Sequence, residues 1–211
     1  MDRFVWIASY PRSGNTFLRI LLRNCLGLRS GSFYADDFPG RPRLAELVGH
    51  VEHETPGKLV FQPNELRLVK THEHCTHRSK AIYIVRDGRA SAASLWKLFG
   101  GKFSLRAVVE GKTEFGLWQD HVDSWNPAAR PNTLFLRYED VVADPLAAVE
   151  ALAGFLDRPI LSRDIPTREA AAGLDGTIVT KPWNWRDVMT DDLEQRFVEL
   201  NRRQLSALGY C

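Results

Sequence analysis

Cysteine is scarce. Cys25, Cys75 and Cys211 are odd in number and show no CxxC spacing, which argues against a disulfide framework or a zinc ribbon. A charge excess is also missing: 28 lysines and arginines against 26 aspartates and glutamates leave a formal charge of +2. Bulk nucleic-acid binding is therefore not expected, and any recognition of anions must be local. No apolar run approaches the roughly 18 residues of a membrane span. The N-terminus runs almost directly into an apolar stretch, leaving no room for a signal peptide. Internal repeats, low-complexity tracts and linkers are absent as well. These absences point to a reducing cytoplasm and to one domain over residues 1–211, since that length suits one well-buried core and is short for two.

What is present alternates. Short apolar segments at Phe4–Ala8, Leu59–Phe61, Leu66–Lys70, Ala81–Arg86 and Thr133–Arg137 lack period-two alternation, as strands buried on both faces of a parallel sheet do. Between them the spacing predicts helices over Phe17–Leu28, Gly88–Phe99, Phe115–Trp125, Pro145–Leu156 and Asp191–Leu208. Asp144 before Pro145 reads as an N-cap followed by proline in the first turn. The pattern predicts a single-domain α/β fold, a doubly wound parallel sheet with ligands at the carboxyl ends of its strands. The stretches Gly31–Thr55 and Arg158–Lys181, rich in proline, glycine and charge, read as loops or short helices on the rim, where a substrate would be selected.

The first strand leads into Ser9-Tyr10-Pro11-Arg12-Ser13-Gly14-Asn15-Thr16 and then a helix. A strand, a tight glycine-containing loop and a helix N-terminus aim backbone N–H groups at one anion. The kinase-type loop G-x-x-x-x-G-K-[ST] uses its lysine on the β and γ phosphates. Here Ser9 takes the place of the first glycine, Asn15 that of the lysine and Thr16 that of the hydroxyl residue, while the basic group has moved to Arg12. Such a P-loop-like turn can hold a phosphate without being arranged for a magnesium-bound triphosphate.

Three further groups fall at predicted strand ends. In Lys70-Thr71-His72 the lysine can offer charge to a leaving oxygen and the histidine can take a proton near neutral pH. Arg86 ends a strand, and the following helix carries Ser91 and Ser94, a combination that suits a second phosphate. Tyr138-Glu139-Asp140 places an aromatic ring where a nucleobase could pack. Each has an ordinary explanation too: a strand terminus in solvent, Arg86 paired with Asp87, and a tyrosine in the core.

In this order the groups resemble the sulfotransferases that use 3′-phosphoadenosine 5′-phosphosulfate (PAPS). Residues Tyr10 to Arg19 look like that family's YP[KR]SG[TN]TW loop, Lys70-Thr71-His72 is similar to the segment with its catalytic histidine, Arg86 and Ser94 match its 3′-phosphate pair, and Leu136 to Asp140 resembles its YED segment. Arg12 stands where many members have lysine and Phe17 where most have tryptophan; arginine remains a phosphate ligand and phenylalanine keeps an aromatic face for adenine. The family's RKGxxGxW loop is echoed by Thr180 to Arg186 without either glycine. Arg186, Thr190, Asp191 and Gln195 echo only part of the KxxxTVxxxE dimer motif, so the oligomeric state stays open.

The resemblance implies PAPS as co-substrate, no metal, and in-line transfer of a sulfuryl group to a hydroxyl of a small-molecule or carbohydrate acceptor. It implies His72 as the base, with Arg12 and Lys70 stabilising the charge that develops. Ser13, Gly14, Asn15 and Thr16 would hold the 5′-phosphate, Arg86 and Ser94 the 3′-phosphate, and Tyr138 would lie near the adenine, with Lys181 reaching towards the 3′-phosphate. Two other classes compete. A small-molecule kinase would use the same strand–loop–helix with ATP, and His72, His74, Cys75 and His77 could be imagined as a metal-binding module. A non-enzymatic nucleotide-binding protein would fit if His72 pointed away from the nucleotide. Trp96, Phe99, Phe103, Trp118, Trp183 and Trp185 are candidates for an aromatic acceptor wall or for core packing.

Overall fold

Apolar runs flanked by turn residues build one sheet of five parallel strands. A computed structural model of the chain describes residues 4–166 and 184–211. The strands are β1 (Phe4–Ala8), β2 (Ser30–Ser32), β5 (Arg67–Thr71), β6 (Ala81–Val85) and β7 (Thr133–Arg137), in the spatial order β2-β5-β1-β6-β7. The register pairs Ala8 with Thr71 and with Tyr83, and Val85 with Arg137. The carboxyl ends of β5, β1, β6 and β7 therefore lie side by side, and chain order reverses around β1, where open α/β sheets place their ligands. The central β6 is buried throughout, as an all-apolar run requires, whereas β7 is only half-buried because it lies at an edge.

Helices cover both faces. On one side α1 (Asn15–Leu26) and α7 (Pro145–Leu156) pack on Val5, Ile7, Leu68, Ile82 and Ile84. The stripe Leu18, Leu21, Leu22 and Cys25 is fully buried, and each leucine contributes about 1.5–3 kcal/mol by leaving water. On the other side α3 (Gly88–Leu98), α4 (Leu105–Val109), α5 (Trp118–Trp125) and α8 (Asp191–Ala207) enclose Ala8, Tyr83, Trp118, Trp125 and Phe197. The short α6 (Tyr138–Ala143) follows β7 directly. Asp144 caps α7 as its spacing predicts, accepting from the Ala147 N–H at 3.0 Å. The doubly wound parallel sheet is thus the observed architecture.

Two expectations are corrected. Leu59–Phe61 is not a strand of the parallel sheet: β4 (Lys58–Leu59) pairs antiparallel with β3 (His53–Thr55) in a separate hairpin. Pro56 and Gly57 form its turn, with Gly57 at φ 82°, the left-handed position such a turn assigns to glycine. The rim stretch 31–55 also holds more order than expected, since it includes most of β2, the helix α2 (Pro42–Leu47) and β3. The sequence Ser-Gly-Ser has no apolar pattern, yet it becomes a strand because the edge of β5 accepts it.

Candidate functional site

The loop between β1 and α1 is shaped by two left-handed residues, Arg12 at φ 66° and Gly14 at φ 102°. Gly14 is the N-cap of α1, and no side chain caps the helix, so its first N–H groups and the positive end of its dipole are left for a ligand. Glycine is required here for a second reason: a Cβ would lie 2.3 Å from the Tyr138 ring. Asn15 pins the loop to its strand, donating to the Ile7 carbonyl at 3.2 Å and to Ser9 Oγ at 3.3 Å. Its Oδ1 is buried without a hydrogen-bond donor. Ser13 Oγ meets Ser91 Oγ at 3.2 Å in the interior.

The basic groups converge on this loop. Arg12 Nε donates to Ser94 Oγ at 3.1 Å, and Arg86 Nη1 donates to the Arg12 carbonyl at 3.2 Å. The Arg86 guanidinium also lies 4.6 Å from the centre of the Tyr138 ring. The partner of Asp87 is Arg89, not Arg86. Glu139 ties the neighbourhood together: one oxygen accepts from the Asp87 N–H at 3.0 Å and the other from the Tyr210 hydroxyl at 2.8 Å. Arg86 and Tyr138, each adjacent to a member of that bridge, are held beside Gly14.

His72 follows β5, next to β1. Its Nδ1 lies 2.7 Å from the Ser9 carbonyl oxygen. A carbonyl can only accept, so Nδ1 carries the proton and Nε2 of the neutral ring is the acceptor. Burial, then the nearby Lys70 charge, hold the His72 pKa well below the usual histidine value. The imidazole sits between two rings, Tyr34 stacked at 5.9 Å and Phe115 edge-on at 6.1 Å. Lys70 Nζ is 2.5 Å from Asp37 Oδ1 and 4.8 Å from the centre of the Tyr34 ring.

The loop, both arginines, Lys70 and His72 face a cavity of about 530 Å³. It is lined by Arg12, Gly14, Asn15, Thr16, Phe17, Lys70, His72, Arg86, Ser94 and Tyr138, so ten of the residues singled out from sequence share one space. Ser13 turns inward to Ser91. Lys181 lies outside the described residues, as does Trp183. Sequence reasoning missed Tyr34, Asp37, Phe38 and Phe115, which also line the cavity. Among the candidate aromatics, Phe99 alone reaches the wall within the described residues. Trp118 and Trp185 are buried in the core, and Trp96 and Phe103 pack against it. The four proposed metal ligands part company: His72 bonds Ser9, His74 faces the His121 ring, Cys75 Sγ meets the His77 carbonyl, and His77 stacks on Trp6. Among the described residues no group of three or more His, Cys, Asp and Glu side chains could hold a metal ion. Nor is any described helix long and apolar enough to cross a membrane.

The chain is similar to known proteins. Human sulfotransferase 4A1 is 26% identical over 226 residues, covering 92% of this chain and 77% of its own length. Luciferin sulfotransferase of Photinus pyralis is 26% identical over 200 residues, which are 78% of this chain and 54% of that protein. The mouse sulfotransferase SULT7A1 complexed with PAP superposes with a TM-score of 0.69 at 19% identity, covering 100% of this chain and 87% of that one. A retinol dehydratase in complex with retinol and PAP gives 0.64 at 19% identity, with 97% and 81% covered. Both solved structures share the fold. The sulfotransferase domain family itself matches residues 2–170, from the strand before the anion loop to beyond α7, and the chain belongs to that family.

Proposed function

We propose that the chain moves a sulfuryl group from PAPS to a hydroxyl of a small acceptor, with His72 as the general base. The observation that carries this reading is the Nδ1–H hydrogen bond from His72 to the Ser9 carbonyl, made at the wall of the cavity into which the anion loop opens. It fixes the neutral tautomer and leaves Nε2 to take a proton. The residues fit the donor: an uncapped helix start, a glycine with a ring packed where a Cβ would be, and two arginines, Arg12 on the loop and Arg86 bonded to it.

PAPS supplies a sulfuryl group bonded to a phosphate oxygen. The new bond joins the acceptor oxygen to sulfur, the bond from sulfur to the bridging oxygen breaks, and its electron pair stays on the phosphate. The acceptor proton goes to His72 Nε2. Arg12 and Lys70 stabilise the charge gathering on the bridging and sulfuryl oxygens. The N–H groups from Ser13 to Asn15, with Thr16, hold the 5′-phosphate. Arg86 and Ser94 select the 3′-phosphate, with Lys181 as a third candidate, and Phe17 and Tyr138 offer ring faces to the adenine. Small-molecule acceptors are favoured by the relatives' names, one a luciferin sulfotransferase and another a dehydratase solved with retinol.

Titration calorimetry tests the donor assignment. Adenosine 3′,5′-bisphosphate (PAP) should bind about tenfold or more tightly than AMP, because a charge-assisted bond contributes about 1.5–3 kcal/mol. Equal affinity for the two nucleotides would remove the reading. Turnover that needs ATP and Mg²⁺ would put a kinase in its place.

A further inference from the structure

Lys70 is tied to a residue far from either donor motif. Asp37 belongs to the rim segment between β2 and α2, and both its carboxylate oxygens are engaged. Oδ2 lies 2.6 Å from Arg19 Nη1, and Oδ1 lies 2.5 Å from Lys70 Nζ. Arg19 is fixed on its other sides. Its Nε donates to Ser30 Oγ at 2.8 Å, and Nη2 donates to the Ser30 carbonyl at 3.0 Å and to His50 Nδ1 at 3.1 Å. With a side chain 1% exposed, this guanidinium cannot swing. It projects from α1, the helix whose N-cap is Gly14, whereas Lys70 stands on β5 two residues before His72.

We infer that Asp37 is a positioning residue: held by Arg19, its carboxylate aims the Lys70 ammonium at the sulfuryl end of the donor beside His72. The inference rests on the sulfuryl-transfer reading above. A carboxylate near an anionic donor is repulsive unless it does something else, and an Arg19–Asp37 pair would be complete without a third member. The second oxygen instead restrains a lysine on the cavity wall. An ammonium on a flexible four-carbon stem has three donors and many rotamers. One N–H on Asp37 and one face on the Tyr34 ring select a single arrangement. The groups facing the carboxylate are Arg19 from α1 and Lys70 from β5, so its pKa is held at about 2: burial alone would raise it, and the two cations outweigh that. The ion triad keeps a net charge of +1 towards the cavity.

The test compares Asp37→Asn, Lys70→Met and the double variant in initial-rate sulfuryl transfer from PAPS, with PAP binding measured alongside. Asp37→Asn should lower kcat by about 10–100-fold, the usual scale for a misplaced catalytic group. PAP, which lacks the sulfuryl group, should bind within about threefold of the parent. The double variant should be no slower than Lys70→Met, because Asp37 acts through that lysine. Unchanged kcat in Asp37→Asn, or additive losses in the double variant, overturns the inference while leaving the proposed function intact. A parent protein that binds PAP but transfers to no hydroxyl overturns both. If Asp37→Asn fails to fold, Asp37→Glu decides: a fall in kcat of about 3–10-fold at unchanged thermal midpoint supports positioning, and the parent kcat overturns it.

Discussion

The anion loop after β1 and the adjoining end of β5 present polar groups to the cavity by different means. At the loop the donors are largely backbone: an uncapped helix start after Gly14, supported by Asn15 bonded to β1. Such groups carry no titratable proton and their direction is set by φ and ψ. On the β5 side of the cavity the titratable groups are side chains, namely His72, Lys70, Asp37 and Tyr34, each with a shifted pKa. Burial lowers the histidine and lysine values and raises that of the tyrosine, while two cations hold Asp37 low. A donor common to a family is suited to a backbone cradle, and proton transfer needs groups whose protonation can be tuned.

The strongest way to break this comparison is His72→Ala. Turnover should fall by on the order of 10²–10⁴, the worth of a positioned general base, with PAP affinity nearly unchanged. Loss of PAP binding in parallel would mean that the two walls are not separate devices. Gly14→Ala should do the reverse of a base deletion. The added methyl meets Tyr138 at 2.3 Å in a backbone held at φ 102°, and strain of about 1–3 kcal/mol should weaken PAP binding by about 5–150-fold. Calorimetry on the folded variant measures it; parent-like affinity would show that the cradle tolerates a side chain.

Acidity sharpens the contrast. His72 must be neutral to accept a proton, and its folded pKa lies well below 6.5. The acid limb of kcat should therefore fall below pH 6.5, and a limb above 6.5 would contradict the buried setting. The same depression has a consequence for stability. His50, His72 and His121 all have lowered values, with burial the leading cause in each and His121 near 3. Their contribution is complete above pH 6.5, where the unfolded chain is also neutral. It is lost as pH falls from 6.5 towards the folded values, because the unfolded chain then binds protons that the native state refuses. The urea midpoint should drop between pH 7 and pH 5. The smallest effect is expected from His74→Ala: that residue is exposed, and transfer should stay within about twofold of the parent.

The legible parts of the site were those encoded over a few neighbouring residues. Gly14, Arg12 and Thr16 sit within one turn, and Lys70 and His72 within one strand end, so motif and chemistry could be read together. Tyr34 gave no such signal, although its hydroxyl accepts from the His72 N–H at 3.0 Å across 38 residues. Nor did Asp37, which lies in a stretch of charge and proline resembling any solvated rim. The large aromatics were ambiguous for a related reason: a ring at helical spacing suits a core or a ligand wall, and only packing separates Trp118 in the core from Phe115 at the cavity.

Local sequence by itself determined the alternation of strand and helix, the turn at Gly14 and the cap at Asp144, because each depends on backbone preferences and on side chains reaching a few residues. Tertiary structure alone decided that Ser30–Ser32 would be an edge strand, with Gly31 so close to Leu59 that a Cβ would lie 2.7 Å from it. It also decided that Arg19, Asp37 and Lys70 would meet. A buried charge is tolerable only where partners from other segments surround it, and which segments those are is set by the order of strands in the sheet.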